Sequence, residues 1–280
     1  MFAITCLLIA GLTSCALAGP TTKQPPGCTN ESFEKCGTDL ILFAGGPVIP
    51  TTKEQLVTSC PKEKASEKCA RAYSTKCLAR FPRGMVMLLL DGIRNEVNAK
   101  CNTTSPSGKG GSLLYTATRS AAGASVDDSL HVDIRNITSH KNTVHIDVCD
   151  RKALEYLKHA TCLNSNGARL HQCMRDLTLV LDQSVDAPQK SRLALSCCSF
   201  NTYRTCMTDS VKGVCESSTS GYVDKLITGY AGDLLDTVCA NYKTGSDACK
   251  TLPSLPKSTK TGRSSSLLSP LARIVTSLNG

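Results

Sequence analysis

Between Cys215 and Cys239 the apolar residues Tyr222, Val223, Leu226, Ile227, Tyr230, Leu234, Leu235 and Val238 recur at steps of three, four and one. That is the stripe of one helical face. The cluster Ser218-Thr219-Ser220 just ahead of it supplies N-cap residues. The stretch FPRGMVMLLLDGIRNEVNAKC, ending at Cys101, carries Met85, Leu88, Leu89, Ile93 and Val97 on a similar stripe. Asp186-Ala187-Pro188-Gln189 and Thr51 with Glu54 mark two more helix starts of the capping-box kind. Such stripes are read as core faces of amphipathic helices rather than as lipid-facing surfaces. Residues 105–130 are rich in Ser, Gly and Ala and hold no sustained period, the composition of a flexible connector. The segment after it, HVDIRNITSHKNTVHIDV, alternates at both ends like the strands of a small hairpin.

The cysteines organise these elements. Cys36, Cys60, Cys69, Cys77 and Cys101 are separated by 24, 9, 8 and 24 residues; Cys173, Cys197, Cys206, Cys215 and Cys239 by 24, 9, 9 and 24. The offset is 137, rising to 138 after one inserted residue between Cys206 and Cys215. In this frame Leu42 meets Leu179, Leu56 meets Leu193, Ser59 meets Ser196 and Val97 meets Leu235. The chain therefore reads as an all-α protein of two duplicated, disulfide-stapled helical modules joined by the flexible connector. Cys28 and Cys162 are loosely spaced sixth members. The expected boundaries are a signal peptide at 1–18, module one at 19–104, the connector at 105–148, module two at 149–253 and a basic tail at 254–280.

Cys197 and Cys198 are neighbours, and Cys198 stands where module one has Pro61. Adjacent cysteines bond to each other only through a strained ring, so the two are expected to reach different partners. A Cys198–Cys249 bridge is the favoured pairing. Cys149, at the connector edge, is then left unpaired or joins a second chain in a dimer.

Composition fixes the compartment. The first eighteen residues are uncharged and apolar and end in Ala16-Leu17-Ala18, a signal-peptidase pattern with cleavage before Gly19. Of 17 cysteines, Cys6 and Cys15 leave with that segment. The remainder are expected to pair in an oxidising compartment. Asn30, Asn102 and Asn136 each open a glycan-acceptor sequon. No Cys-x2-Cys pair exists for a tetrahedral metal or a thioredoxin-like couple, so no metal or other cofactor is expected. A secreted, extracellular protein with no transmembrane segment follows from this reading.

Charge adds one feature. The formal net charge is +9, and between Lys250 and Gly280 the residues Lys250, Lys257, Lys260, Arg263 and Arg273 supply five positive charges with no acid among them. The tail reads first as a solvated, partly disordered end with a short amphipathic helix that either docks or stays free, and second as a patch for sulfated glycans or anionic membrane. With seven Tyr, five Phe and no Trp, exposed stacking faces are few, and nucleic acid is not an expected partner.

Catalytic patterns are missing: there is no His-Glu-x-x-His and no Gly-x-Ser-x-Gly. The run from Ser107 to Ser112 lacks the phosphate-loop frame, and Asp127-Asp128 sits in the connector. His131, His140, His145, His159 and His171 include no i, i+4 pair and read as scattered surface residues. An enzyme is therefore not expected.

The segments Cys77 to Cys101, Ala160 to Phe200 and Gly221 to Tyr242, with LLSPLARI near the end, resemble cysteine-rich secreted proteins of ticks and other arachnids. Those proteins are akin to arthropod hemolymph glycoproteins. The resemblance implies secretion and a helical, disulfide-bonded fold, and carries no catalytic residues. Two functions are compatible with all of this. One is an extracellular carrier of a small hydrophobic ligand held between apolar helix faces. The other is a hemolymph or salivary protein that engages an extracellular protein or sulfated glycan through its surface and basic tail.

Overall fold

The computed structural model describes residues 25–101, 148–253, 255 and 264–278. The expected signal segment, the expected connector and hairpin up to residue 147, Asn102 and Asn136 lie outside the described residues, and Val148, placed in the connector, opens a helix instead. Among those described, every regular element is a helix: α1 (Asn30–Gly37), α2 (Lys53–Cys77), α3 (Arg80–Cys101), α4 (Val148–Ser165), α5 (Gly167–Asp186), α6 (Gln189–Val211), α7 (Ser217–Val238), α8 (Asp247–Lys250) and α9 (Leu268–Ser277).

Seven disulfides staple them. In the first half Cys28 joins Cys77, Cys36 joins Cys69 and Cys60 joins Cys101. In the second half Cys162 joins Cys215, Cys173 joins Cys206 and Cys197 joins Cys239. Both halves follow one order, first to fifth, second to fourth, third to sixth. The seventh bridge links Cys198 on α6 to Cys249 on α8, so the neighbouring cysteines do reach different partners.

The two halves share one hydrophobic core that draws on α1 to α7 and α9. Its centre is the packing of α3 against α7. The helices approach closely because Gly92 carries no side chain: a Cβ there would lie 2.4 Å from the Tyr230 carbonyl oxygen. Gly92 and Tyr230 occupy matched positions at the 138 offset, so the helices cross at equivalent points. Ile93 and Val97 from α3, and Val223, Ile227 and Ala231 from α7, are buried around this crossing.

The halves differ where α5 meets its match. Module two runs one helix of 20 residues; module one stops after α1, 8 residues long, and continues as an irregular segment, residues 38–52. Phe43 in that segment adopts φ 66°, a left-handed conformation that costs a bulky residue roughly 1–3 kcal/mol. It is held there because its ring is buried and its carbonyl meets His171 Nδ1 at 2.6 Å. α4 clamps the same segment: Tyr156 donates its hydroxyl to the Pro50 carbonyl at 2.6 Å, and Asn164 Oδ1 accepts from the Ile49 amide at 2.9 Å. Gly167, at the start of α5, leaves room for the Pro47 carbonyl that any side chain would strike.

Helix starts depart from expectation in detail. α2 begins one residue later, with Thr52 accepting from the Gln55 amide and Thr51 bonded to the Gln55 side chain, so Gln55 fills the place expected of Glu54. α6 starts at Gln189 behind Pro188 without a side-chain cap, and Asp186 ends α5 instead. α7 starts at Ser217, ahead of the serine cluster, which leaves Thr219 free to turn inward.

The C-terminal segment forms the short helix expected of it, and of the two alternatives that helix docks: α9 packs against α1, α3, α5 and α6. Leu268, Ala272, Ile274 and Val275 are buried there. Pro270 does not prevent the helix, because it falls in the first turn, where its missing N–H has no partner to lose. Arg273 interrupts the apolar run in sequence, yet it is satisfied at 3.5 Å by Asp182 on α5.

Candidate functional site

The seat of α9 is also where the structure encloses apolar space. Leu177 and Leu181 of α5, Leu193 and Phe200 of α6, and Ala231, Leu234 and Val238 of α7 face Leu271, Ile274, Val275 and Leu278 from the α9 side. Leu89 of α3 closes one wall. They surround a cavity of about 80 Å³, with the Cys197–Cys239 bridge in its wall. Ser196 also lines it, but its hydroxyl is already donated to the Arg192 carbonyl at 2.7 Å. The lining is therefore almost wholly carbon and sulfur. A cavity of this chemistry holds apolar groups and excludes water.

Polar contacts frame the chamber without entering it. Asp182 accepts from the Ser264 amide at 2.8 Å and from the Ser264 hydroxyl at 2.9 Å. Glu34 of α1 accepts from the Ser265 and Ser266 amides at 2.9 and 2.7 Å. At the far end Gln189 donates to the Ser277 carbonyl at 2.7 Å. One carboxylate from each half thus anchors the turn before α9.

In module one the matched place is filled differently. At the repeat offsets Phe200 corresponds to Glu63 and Val238 to Lys100. Glu63 and Lys100 form an ion pair at 2.6 Å, with side chains only 11% and 8% exposed. The Lys100 ammonium lies 5.2 Å from the Tyr156 ring centroid, a cation–π contact. This pair escaped the sequence analysis, although two charges standing opposite two apolar residues in the repeat were a visible signal.

A second recess lies between α3, α4 and α7, lined by Tyr156, Tyr222 and Tyr230 with Glu96, Lys152 and Lys225. Its charges are matched among themselves: Lys152 pairs with Glu96 and Lys225 with Glu155. Burial raises the pKa of all three tyrosines, so their hydroxyls stay protonated.

The histidine expectation needs correction. His159 is buried rather than a surface residue: its Nδ1 meets Thr219 Oγ1 at 3.0 Å and its ring stacks on Tyr222 at 4.5 Å. Burial lowers its pKa, with Lys158 adding to the effect and Glu155 and Glu216 opposing it. His171 is half-buried against Phe43. His131, His140 and His145 lie outside the described residues.

Of the other singled-out residues, Asn30 is the exposed first residue of α1, and Ser32 of its sequon belongs to the capping box with Thr29. Cys149 falls in the first turn of α4. Of the five tail cations, Lys250 pairs with Asp247 at 3.1 Å and Arg273 with Asp182; Lys257, Lys260 and Arg263 lie outside the described residues. Among the described residues no cluster of three metal-binding side chains occurs, and no helix is long and apolar enough to cross a membrane.

Fold and site together define, over the described residues, a disulfide-rich helical protein with a carbon-lined chamber, and its seven bridges fit an oxidising, extracellular setting. No protein-family model, no curated protein and no solved structure matches the chain.

Proposed function

We propose that this protein is a secreted carrier of a small hydrophobic ligand, that the chamber under α9 is its binding site, and that the two modules descend from one duplicated unit. The observation that carries the reading is the contrast at matched positions. One half keeps an apolar void at the place where the other sets the buried ion pair of Glu63 and Lys100. Packed interiors leave few voids, because each forfeits dispersion contacts. A void lined almost wholly by carbon and sulfur beside a rigid disulfide is the kind of site that an apolar guest fills.

Native mass spectrometry of the glycan-trimmed secreted protein, before and after mild denaturation, tests this. The expected result is a mass excess that denaturation removes, and its value identifies the guest. A clean apo mass, together with no uptake of any offered apolar probe, would remove the carrier function.

A further inference from the structure

Resting on the carrier reading, we infer that α9 is a displaceable wall, and that the trough beneath it accepts a single unbranched aliphatic chain. Size requires some such movement. The chamber measures about 80 Å³, whereas pockets for ligands of ordinary size run to roughly 300–1,000 Å³. A guest larger than a few carbon atoms needs a wall that yields.

Only one wall can yield readily. α3 is tied by Cys60–Cys101, α5 by Cys173–Cys206, and α6 by Cys197–Cys239, which anchors the end of α7. α9 lies beyond Cys249, the last cysteine of the chain, and no bridge reaches it. It has 10 residues, and helices shorter than about 12–15 residues are not stable alone in water. Its order therefore depends on the trough and on the two-acid anchor. That anchor is incomplete: among the described residues, Glu34 Oε1 and Ser266 Oγ are both buried without a hydrogen-bond partner. Buried polar groups left unpaired weaken the contact they belong to.

The lining selects the guest. An extended peptide entering this trough would bury unpaired backbone N–H and C=O groups against carbon, a penalty that α9 avoids because its helix pairs them. An aliphatic chain has no such groups. Phe200 is the one aromatic residue of the lining, so there is no stacked pair of faces to grip a flat ring. A helix of this length spans about 15 Å, so the trough it vacates is long enough for an extended aliphatic chain to lie along it.

The test uses the full-length, disulfide-intact protein and cis-parinaric acid, a linear polyene fatty acid that fluoresces when shielded from water. Glu34→Ala removes the acceptor for the Ser265 and Ser266 amides and should tighten apparent binding about three- to tenfold, because more of the protein is open. Ala231→Ile narrows the chamber with the residue that module one carries at matched position 93, and should weaken binding at least tenfold. Hydrogen exchange on the wild type needs no variant: saturation should deprotect the α9 amides while α5, α6 and α7 keep their protection.

Uptake that neither substitution alters, or α9 protection that stays the same or rises on saturation, would overturn the displaceable wall and leave the carrier reading standing. So would a bound guest of another class in the native mass spectrum with no uptake of parinaric acid. No uptake together with a clean apo mass would end both.

Discussion

Positions 63 and 100 of the first half correspond to 200 and 238 of the second at the cysteine offsets, and the two halves are bridged in the same order. In the first half they are Glu63 and Lys100, joined at 2.6 Å and covered by Tyr156. In the second they are Phe200 and Val238, facing a void and covered by α9. The disulfides and the α3–α7 crossing do not distinguish the halves here; side-chain polarity at two positions does. A buried ion pair demands a full set of partners, so it fixes its surroundings in one arrangement. Hydrocarbon contacts make no such demand and can exchange one apolar neighbour for another. The first half is built as a pin and the second as a socket.

The largest expected effect comes from breaking the pin. Lys100→Met leaves Glu63 charged, buried and unpaired, which should cost about 3–5 kcal/mol in urea unfolding. Glu63→Met added to it removes the orphaned charge and should restore most of the loss, since apolar replacement of a buried pair is often close to neutral. If the single substitution costs less than about 1 kcal/mol, the pair is solvated in solution and the pin does not exist.

Filling the socket should act the other way, and by less. Ala231→Ile places a larger side chain against the void and should raise stability by about 0.5–2 kcal/mol, the usual yield of cavity filling. The measurement is the thermal midpoint of the ligand-free protein. A lowered midpoint would mean that the walls cannot accommodate the added carbon, the usual sign of overpacking, and the space would not be available to a guest either.

Much of this was legible in sequence, and the gaps have physical causes. The α3 and α7 stripes and the cysteine frame were plain because helical period and spacing are local patterns. α4 was equally visible in Ala153, Tyr156, Ala160 and Leu163, spaced three and four apart, and His159 falls on that stripe. Reading the histidines as a group, rather than against the helix that carries one of them, placed His159 on the surface. The docking of α9 was obscured by Pro270 and Arg273. Both look like breaks in a hydrophobic run, and both are harmless only because of a helix register and an Asp182 that lies 91 residues away. Glu63 and Lys100 sit in charged stretches of long helices, where a buried pair looks like any solvated face. Only the alignment of the halves sets them apart.

The smallest expected effect concerns a contact that the first half lacks. Thr219 corresponds to Phe81, which is 43% exposed, whereas Thr219 is covered by His159 from α4. Thr219 is the third residue of α7, at the positive end of that helix dipole. Protonating His159 would keep the hydrogen bond but place a buried positive charge against that end and beside Lys158. Its pKa is accordingly lowered from the ordinary value of 6.5, chiefly by burial. The folded state then binds the proton less readily than the unfolded chain does. The contribution of His159 is complete above the unfolded pKa and is lost as pH falls through it toward the lowered folded value. The wild type should therefore lose stability between pH 7 and pH 5 relative to His159→Asn, which keeps a polar group at the δ position and cannot charge. Parallel stability profiles for the two proteins over that range would show that α4 holds α7 equally well with the imidazole charged.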